Sequence, residues 1–106
     1  MKRPSKYGNR KVEVDGVTFH SAHEARRYGQ LKLLVKAGEI ADLELQPRYD
    51  FALNGVKIGF YKADFRFREV ATGERVVEDA KGFKTDVYNL KKKMLKAFHG
   101  IDVVEV

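Results

Sequence analysis

From Tyr49 to Phe67 apolar side chains alternate with others on both sides of Asn54-Gly55: Tyr49, Phe51 and Leu53 lead in, and Val56, Ile58 and Phe60 lead away. A period of two is strand geometry, and Asn-Gly readily takes the left-handed backbone of a tight hairpin turn. The apolar phase then slips, because Tyr61, Ala63, Phe65 and Phe67 continue at odd positions after even ones. Gly59 beside the slip predicts a β-bulge, which re-aims the side chains that follow. This stretch must therefore pair antiparallel with itself.

Around it the other elements fall into place. Lys11 to Val14 and Val17 to His20 flank Asp15-Gly16, a second hairpin signal. Ser21 is a helix N-cap and Gly38 a stop, so a helix is predicted over 22–37, with Glu24, Tyr28, Leu31 and Val35 in line on its apolar face. After a turn at Thr72-Gly73, the strand Arg75 to Lys81 returns antiparallel. Thr85 caps a second helix reaching about Phe98, on which Val87, Leu90, Met94, Ala97 and Phe98 form the expected core stripe while Lys92 and Lys96 point away. Gly100 precedes a last strand, Ile101 to Val106. The predicted order is β-β-α-β-β-β-α-β, an α/β (α+β) chain.

With 106 residues there is material for one domain, 12–106, preceded by a flexible basic arm over 1–11. The chain lacks cysteine, which excludes disulfide and thiolate–metal chemistry and fits a reducing, cytoplasmic setting. No apolar run approaches the about 20 residues that span a bilayer, so no membrane role is expected. The net charge of +6 is unevenly placed: Lys2, Arg3, Lys6, Arg10 and Lys11 precede the first acid, and Lys84, Lys91, Lys92, Lys93 and Lys96 gather later. Clustered cations suggest a polyanion partner. His20, His23 and His99 have no metal-ligand spacing, so zinc is not expected.

The stretch Val76 to Gly82, "VVEDAKG", ends a strand with two acids and a lysine. Alternation puts Asp79 and Lys81 on one face with Val77, and Glu78 on the other, where it should matter least. Depending on the turn, Asp64 on the preceding strand faces Lys81 or Asp79; either register gathers the three, with directly opposed Cβ atoms about 4.5 to 5.5 Å apart. A one-residue slip would set Asp64 against Glu78 instead. Glu24 can complete a capping box with Ser21 or bring a further carboxylate. A basic protein that meets phosphates has reason to converge acids only if a divalent cation lies between acid and phosphate.

These residues carry a resemblance. "ADF" at Ala63 to Phe65, "EDAKG" at Glu78 to Gly82 and the helical glutamate of "SAHEARRY" resemble the PD-(D/E)XK, or restriction-endonuclease-like, nuclease superfamily, and in particular a small phage and prophage branch of it. The resemblance implies a mixed sheet flanked by helices. It implies catalytic residues Glu24, Asp64, Asp79 and Lys81, and a Mg²⁺ ion, replaceable by Mn²⁺, on Glu24, Asp64, Asp79 and the Ala80 carbonyl. Ala63 stands where proline is common, and Asp79 where glutamate is more frequent, with Glu78 adjacent. The implied activity is structure-directed DNA cleavage in phage recombination, replication or packaging, with the proteins of those processes as partners. A non-catalytic nucleic-acid-binding module that retains the nuclease fold is the alternative. DNA contacts are expected from the arm residues and from Lys84, Thr85, Tyr88 and Lys91, with "LQPR" at Leu45 to Arg48 lining the site. Cutting both strands would call for a homodimer, although no interface is legible.

Overall fold

The computed structural model describes residues 11–80 and 84–106. Lys2, Arg3, Lys6, Arg10 and Lys81 lie outside the described residues.

Both expected hairpins form. β1 (Val12–Val14) and β2 (Val17–Phe19) pair across Asp15-Gly16, and β4 (Arg48–Leu53) and β5 (Val56–Lys62) pair across Asn54-Gly55. All four turn residues have φ between 52° and 77°, the left-handed pair that matches strand twist in a two-residue turn. The bulge also forms: Phe51 pairs with Gly59 and Ala52 with Lys57, so Ile58 is the extra residue. Beyond it the buried positions are odd, at Tyr61 and Ala63.

The run to Phe67 is not one strand. It breaks at Ala63-Asp64, after which β6 (Phe65–Glu69) leaves the hairpin for a different sheet. That sheet has the order β3-β6-β7-β8, with β3 (Ile40–Leu45), β7 (Arg75–Asp79) and β8 (Val104–Glu105). The first two pairings are antiparallel and the last is parallel. Strand β3 was not expected from the sequence. A register shift between Ala41 and Glu44, with Asp42 at φ 57°, breaks its alternation, and without a regular period a strand is hard to read.

A helix lies on each face. α1 (Ala22–Lys36) contributes Tyr28 and Leu31 to a core with Phe19, Ile40, Phe65 and Phe67. Its expected stripe ends early, since Val35 is exposed and Leu34 packs in its place. On the other face α2 (Asp86–His99) joins Tyr88 and Leu95 to Val77 and to Tyr49, Phe51 and Tyr61 of the hairpin. The parallel β7–β8 pair requires a crossover, and α2 supplies it.

The α2 stripe is rotated from expectation. Val87 and Leu90 are exposed, as is Ala97, whereas Tyr88 and Leu95 are buried and Met94 and Phe98 pack beside them. Lys92 faces inward rather than away, with its ammonium 5.9 Å from the Tyr88 ring centroid. The hairpin sheet is the cause: it covers the side of α2 that carries the aromatic residues, and burying rings releases more apolar area than burying Val87 or Ala97.

Candidate active site at the ends of β6 and β7

The register of β6 and β7 decides which acids meet. Phe65 pairs with Glu78 and Phe67 with Val76, and Asp64 stands in the bend just before β6, beside the end of β7. Asp64 N–H donates to the Glu78 carbonyl at 3.1 Å. The Ala80 N–H donates to Asp64 Oδ2 at 2.8 Å, fixing that carboxylate beside the end of β7. Asp79 is wholly buried at 0% exposure.

"LQPR" does lie against this point. Gln46 N–H donates to the Asp64 carbonyl at 2.9 Å, and Ala63 N–H to the Pro47 carbonyl at 3.1 Å. The segment joining β3 to β4 thus holds the backbone where β5 gives way to β6.

Glu24 enters from the start of α1. Ser21 caps the helix by accepting from Glu24 N–H at 3.1 Å. The Glu24 carboxylate turns back to the His20 N–H at 3.3 Å rather than to Ser21, and the residue is 4% exposed. The neighbouring His23 ring nitrogen lies 2.8 Å from the Val106 carbonyl, and Val106 N–H donates to the Asp79 carbonyl at 3.0 Å. The first turn of α1 is therefore tied to the end of β7, where Asp79 stands. Glu24→Gln keeps an acceptor for His20, so the thermal midpoint should stay within a few degrees, while the Mg²⁺-dependent cleavage that the resemblance implies should fall by roughly tenfold or more, the scale on which groups supporting a metal act. Undiminished cleavage would leave Glu24 as a cap alone.

One acid escaped the sequence reading. β8 runs parallel to β7 with Asp79 beside Glu105, so a second acid flanks Asp79 on the side away from β6. Tyr88 donates to Glu105 Oε2 at 3.0 Å, and Lys92 and Lys84 reach Oε1 at 3.2 and 3.3 Å. Burial favours the neutral Glu105, but Lys92, Tyr88 and Lys84 together hold it below the usual carboxylate range. Burial, the bond to Glu105 and the charges of Asp79 and Asp64 push the Tyr88 phenol upward, so it keeps its proton and serves as a donor. Tyr88, expected among the DNA contacts, is itself buried. Only the parallel register could have exposed Glu105, and no short sequence pattern encodes it.

Glu78 is on the opposite face, as alternation requires, but it is not idle. It is 3% exposed and receives a two-pronged bond from Arg27 of α1, Nε to Oε1 at 2.8 Å and Nη2 to Oε2 at 2.6 Å. The expectation that it matters least holds for the Asp79 face and not for the fold.

Thr85 caps α2 by accepting from Tyr88 N–H at 3.0 Å and is exposed. Lys91 lies over the Phe60 ring at 5.0 Å, and Lys11 and Lys84 are exposed.

Among the described residues no three His, Asp or Glu side chains are close enough to form a metal cage. Mg²⁺ does not need one, since it is commonly held by one or two carboxylates, with phosphate oxygens and waters completing the octahedron. Asp64 and Asp79, two carboxylates at the end of β7 that both act on Tyr88, match that donor set.

Residues 4–103 match the model of a family described as a protein of unknown function, DUF1064. No curated protein and no solved structure matches the chain.

Proposed function

The chain belongs to the DUF1064 family, for which no function is described, and we propose that it is a Mg²⁺-dependent DNA endonuclease of the PD-(D/E)XK type. The observation that carries this reading is the bond from the Ala80 N–H to the Asp64 carboxylate, which holds Asp64 beside the end of β7 near the buried Asp79, where the sequence runs on into Lys81. The mixed four-stranded sheet with a helix on each face supports it. So does the basic charge of the whole chain, +6.

Asp64, Asp79 and the Ala80 carbonyl would hold the ion, with Glu24 supporting them from the first turn of α1. When bound, Mg²⁺ supplies a water of lowered pKa and neutralises charge on the scissile phosphate. The chain's own residues prepare the place. The Ala80 N–H orients Asp64. Tyr88, Lys84 and Lys92 hold Glu105 in place beside Asp79. Lys81 would offer a positive charge to the phosphoryl oxygens as they gain negative charge.

The test is incubation with a panel of linear, forked, flapped and four-way DNAs in Mg²⁺ or Mn²⁺, with EDTA as control. Metal-dependent cuts in at least one substrate are expected. Binding without cleavage across the whole panel would replace the enzyme by the DNA-binding module.

A further inference from the structure

Strand β5 exposes large apolar side chains where a strand on a charged protein would ordinarily be polar. Val56, Ile58 and Phe60 are all exposed, as are Val87 and Leu90 on α2. Between β5 and α2 runs a cleft of about 360 Å³, lined by Phe60, Lys62, Thr85, Val87, Tyr88 and Lys91. Phe60 is 37% exposed, and two cations rest on its ring: the Arg48 guanidinium at 4.0 Å and the Lys91 ammonium at 5.0 Å from the centroid. Asp50 bonds Arg48 at 3.0 Å and Lys57 at 3.5 Å, while Lys62 and Lys91 border the cleft. The cleft is next to the acids: Tyr88 forms its wall and also bonds Glu105, and Lys62 is two residues before Asp64.

We infer that the cleft between β5 and α2 is a stacking subsite for an unpaired base, and that the substrate class is branched or single-stranded DNA; this rests on the nuclease reading of the acids beside it. An aromatic ring and a guanidinium plane are both surfaces on which a base stacks without regard to its identity, and flanking lysines track the backbone phosphates. A paired base within a duplex offers no free face to the ring. A second copy of the chain is the poorer occupant, because a two-fold contact here would set Arg48, Lys62 and Lys91 of one copy against the same cations of the other.

The experiment measures binding in EDTA, away from any cleavage, using a forked DNA with 2-aminopurine at an unpaired position and a fully paired duplex of equal length. The fork should bind more tightly and its fluorescence should be quenched. Phe60→Ala should weaken fork binding roughly tenfold, as loss of one stacking partner does, and leave duplex binding within about twofold. Phe60→Leu, which keeps apolar bulk, should also lose the quenching. Equal binding of fork and duplex, unchanged in both variants, overturns the subsite and leaves the nuclease reading standing. Absence of binding to either DNA overturns both. A sedimentation shift from dimer to monomer in Phe60→Ala would make the surface an interface between copies and also overturn the subsite.

Discussion

Asp79→Asn is expected to abolish Mg²⁺-dependent cleavage, by roughly 10³-fold, while leaving metal-free DNA binding unchanged or stronger. Metal charge stabilisation contributes several kcal/mol at the transition state, and each 1.36 kcal/mol is a factor of ten. Asparagine keeps the size of a side chain that is wholly buried, so packing is preserved. It also removes one of two like charges that meet near Tyr88 at the end of β7, and one charge that repels the DNA. Thermal stability without metal should therefore hold or rise. Lys81→Met separates the roles further: it spares both acids, so Mg²⁺ binding followed by calorimetry should persist while cleavage is lost. Cleavage at the wild-type rate in Asp79→Asn would sink the proposed site.

Arg27→Ala is expected to unfold the protein far more readily without touching the chemistry. It strands the Glu78 carboxylate, 4% exposed at its side chain, without the guanidinium that grips it. Removing one partner of a buried pair costs about 3 to 5 kcal/mol, which in a domain near 100 residues lowers the thermal midpoint by roughly 10 to 20 °C or more. Glu78→Gln should move stability in the same direction by less, since it keeps one acceptor for Arg27. Glu78 points to the α1 side of the sheet, so cleavage per folded molecule, measured well below the midpoint, should stay near wild type. The paired change Arg27→Met with Glu78→Leu should recover much of the loss, because apolar residues of similar volume commonly replace a buried ion pair at little cost. A midpoint for Arg27→Ala within a degree or two of wild type would show that the pair contributes nothing.

Where local chemistry decides conformation, the sequence was sufficient. Asp15-Gly16 and Asn54-Gly55 specify their turns because few other residue pairs accept two successive positive φ values. Ser21 and Thr85 cap the two helices through bonds to residues three positions on. The bulge beside Gly59 was legible because a phase slip in a period-two pattern has one simple structural solution. Strand β3 was not, since its own irregularity at Asp42 hides the period and its existence rests on bonds to β6.

The candidate site divides along the same line. Alternation along one strand placed Asp79 and Glu78 on opposite faces, a consequence of backbone geometry alone. How Asp64 meets β7 depended on the turn at 70–74, and the observed pairing of Phe65 with Glu78 fixed it. Glu105 reaches Asp79 only because a crossover of more than twenty residues returns the chain parallel to β7. The α2 stripe turned toward Tyr88 and Lys92 because the β4–β5 hairpin is there to be covered. Turns, caps and the alternation of faces are set by contacts within a few residues, so the sequence by itself determined them. Strand register across the sheet, the face each helix buries and the company each carboxylate keeps are set by contacts between residues far apart in the chain, whose free energy exists only once the whole core has closed. Those the tertiary structure alone decided.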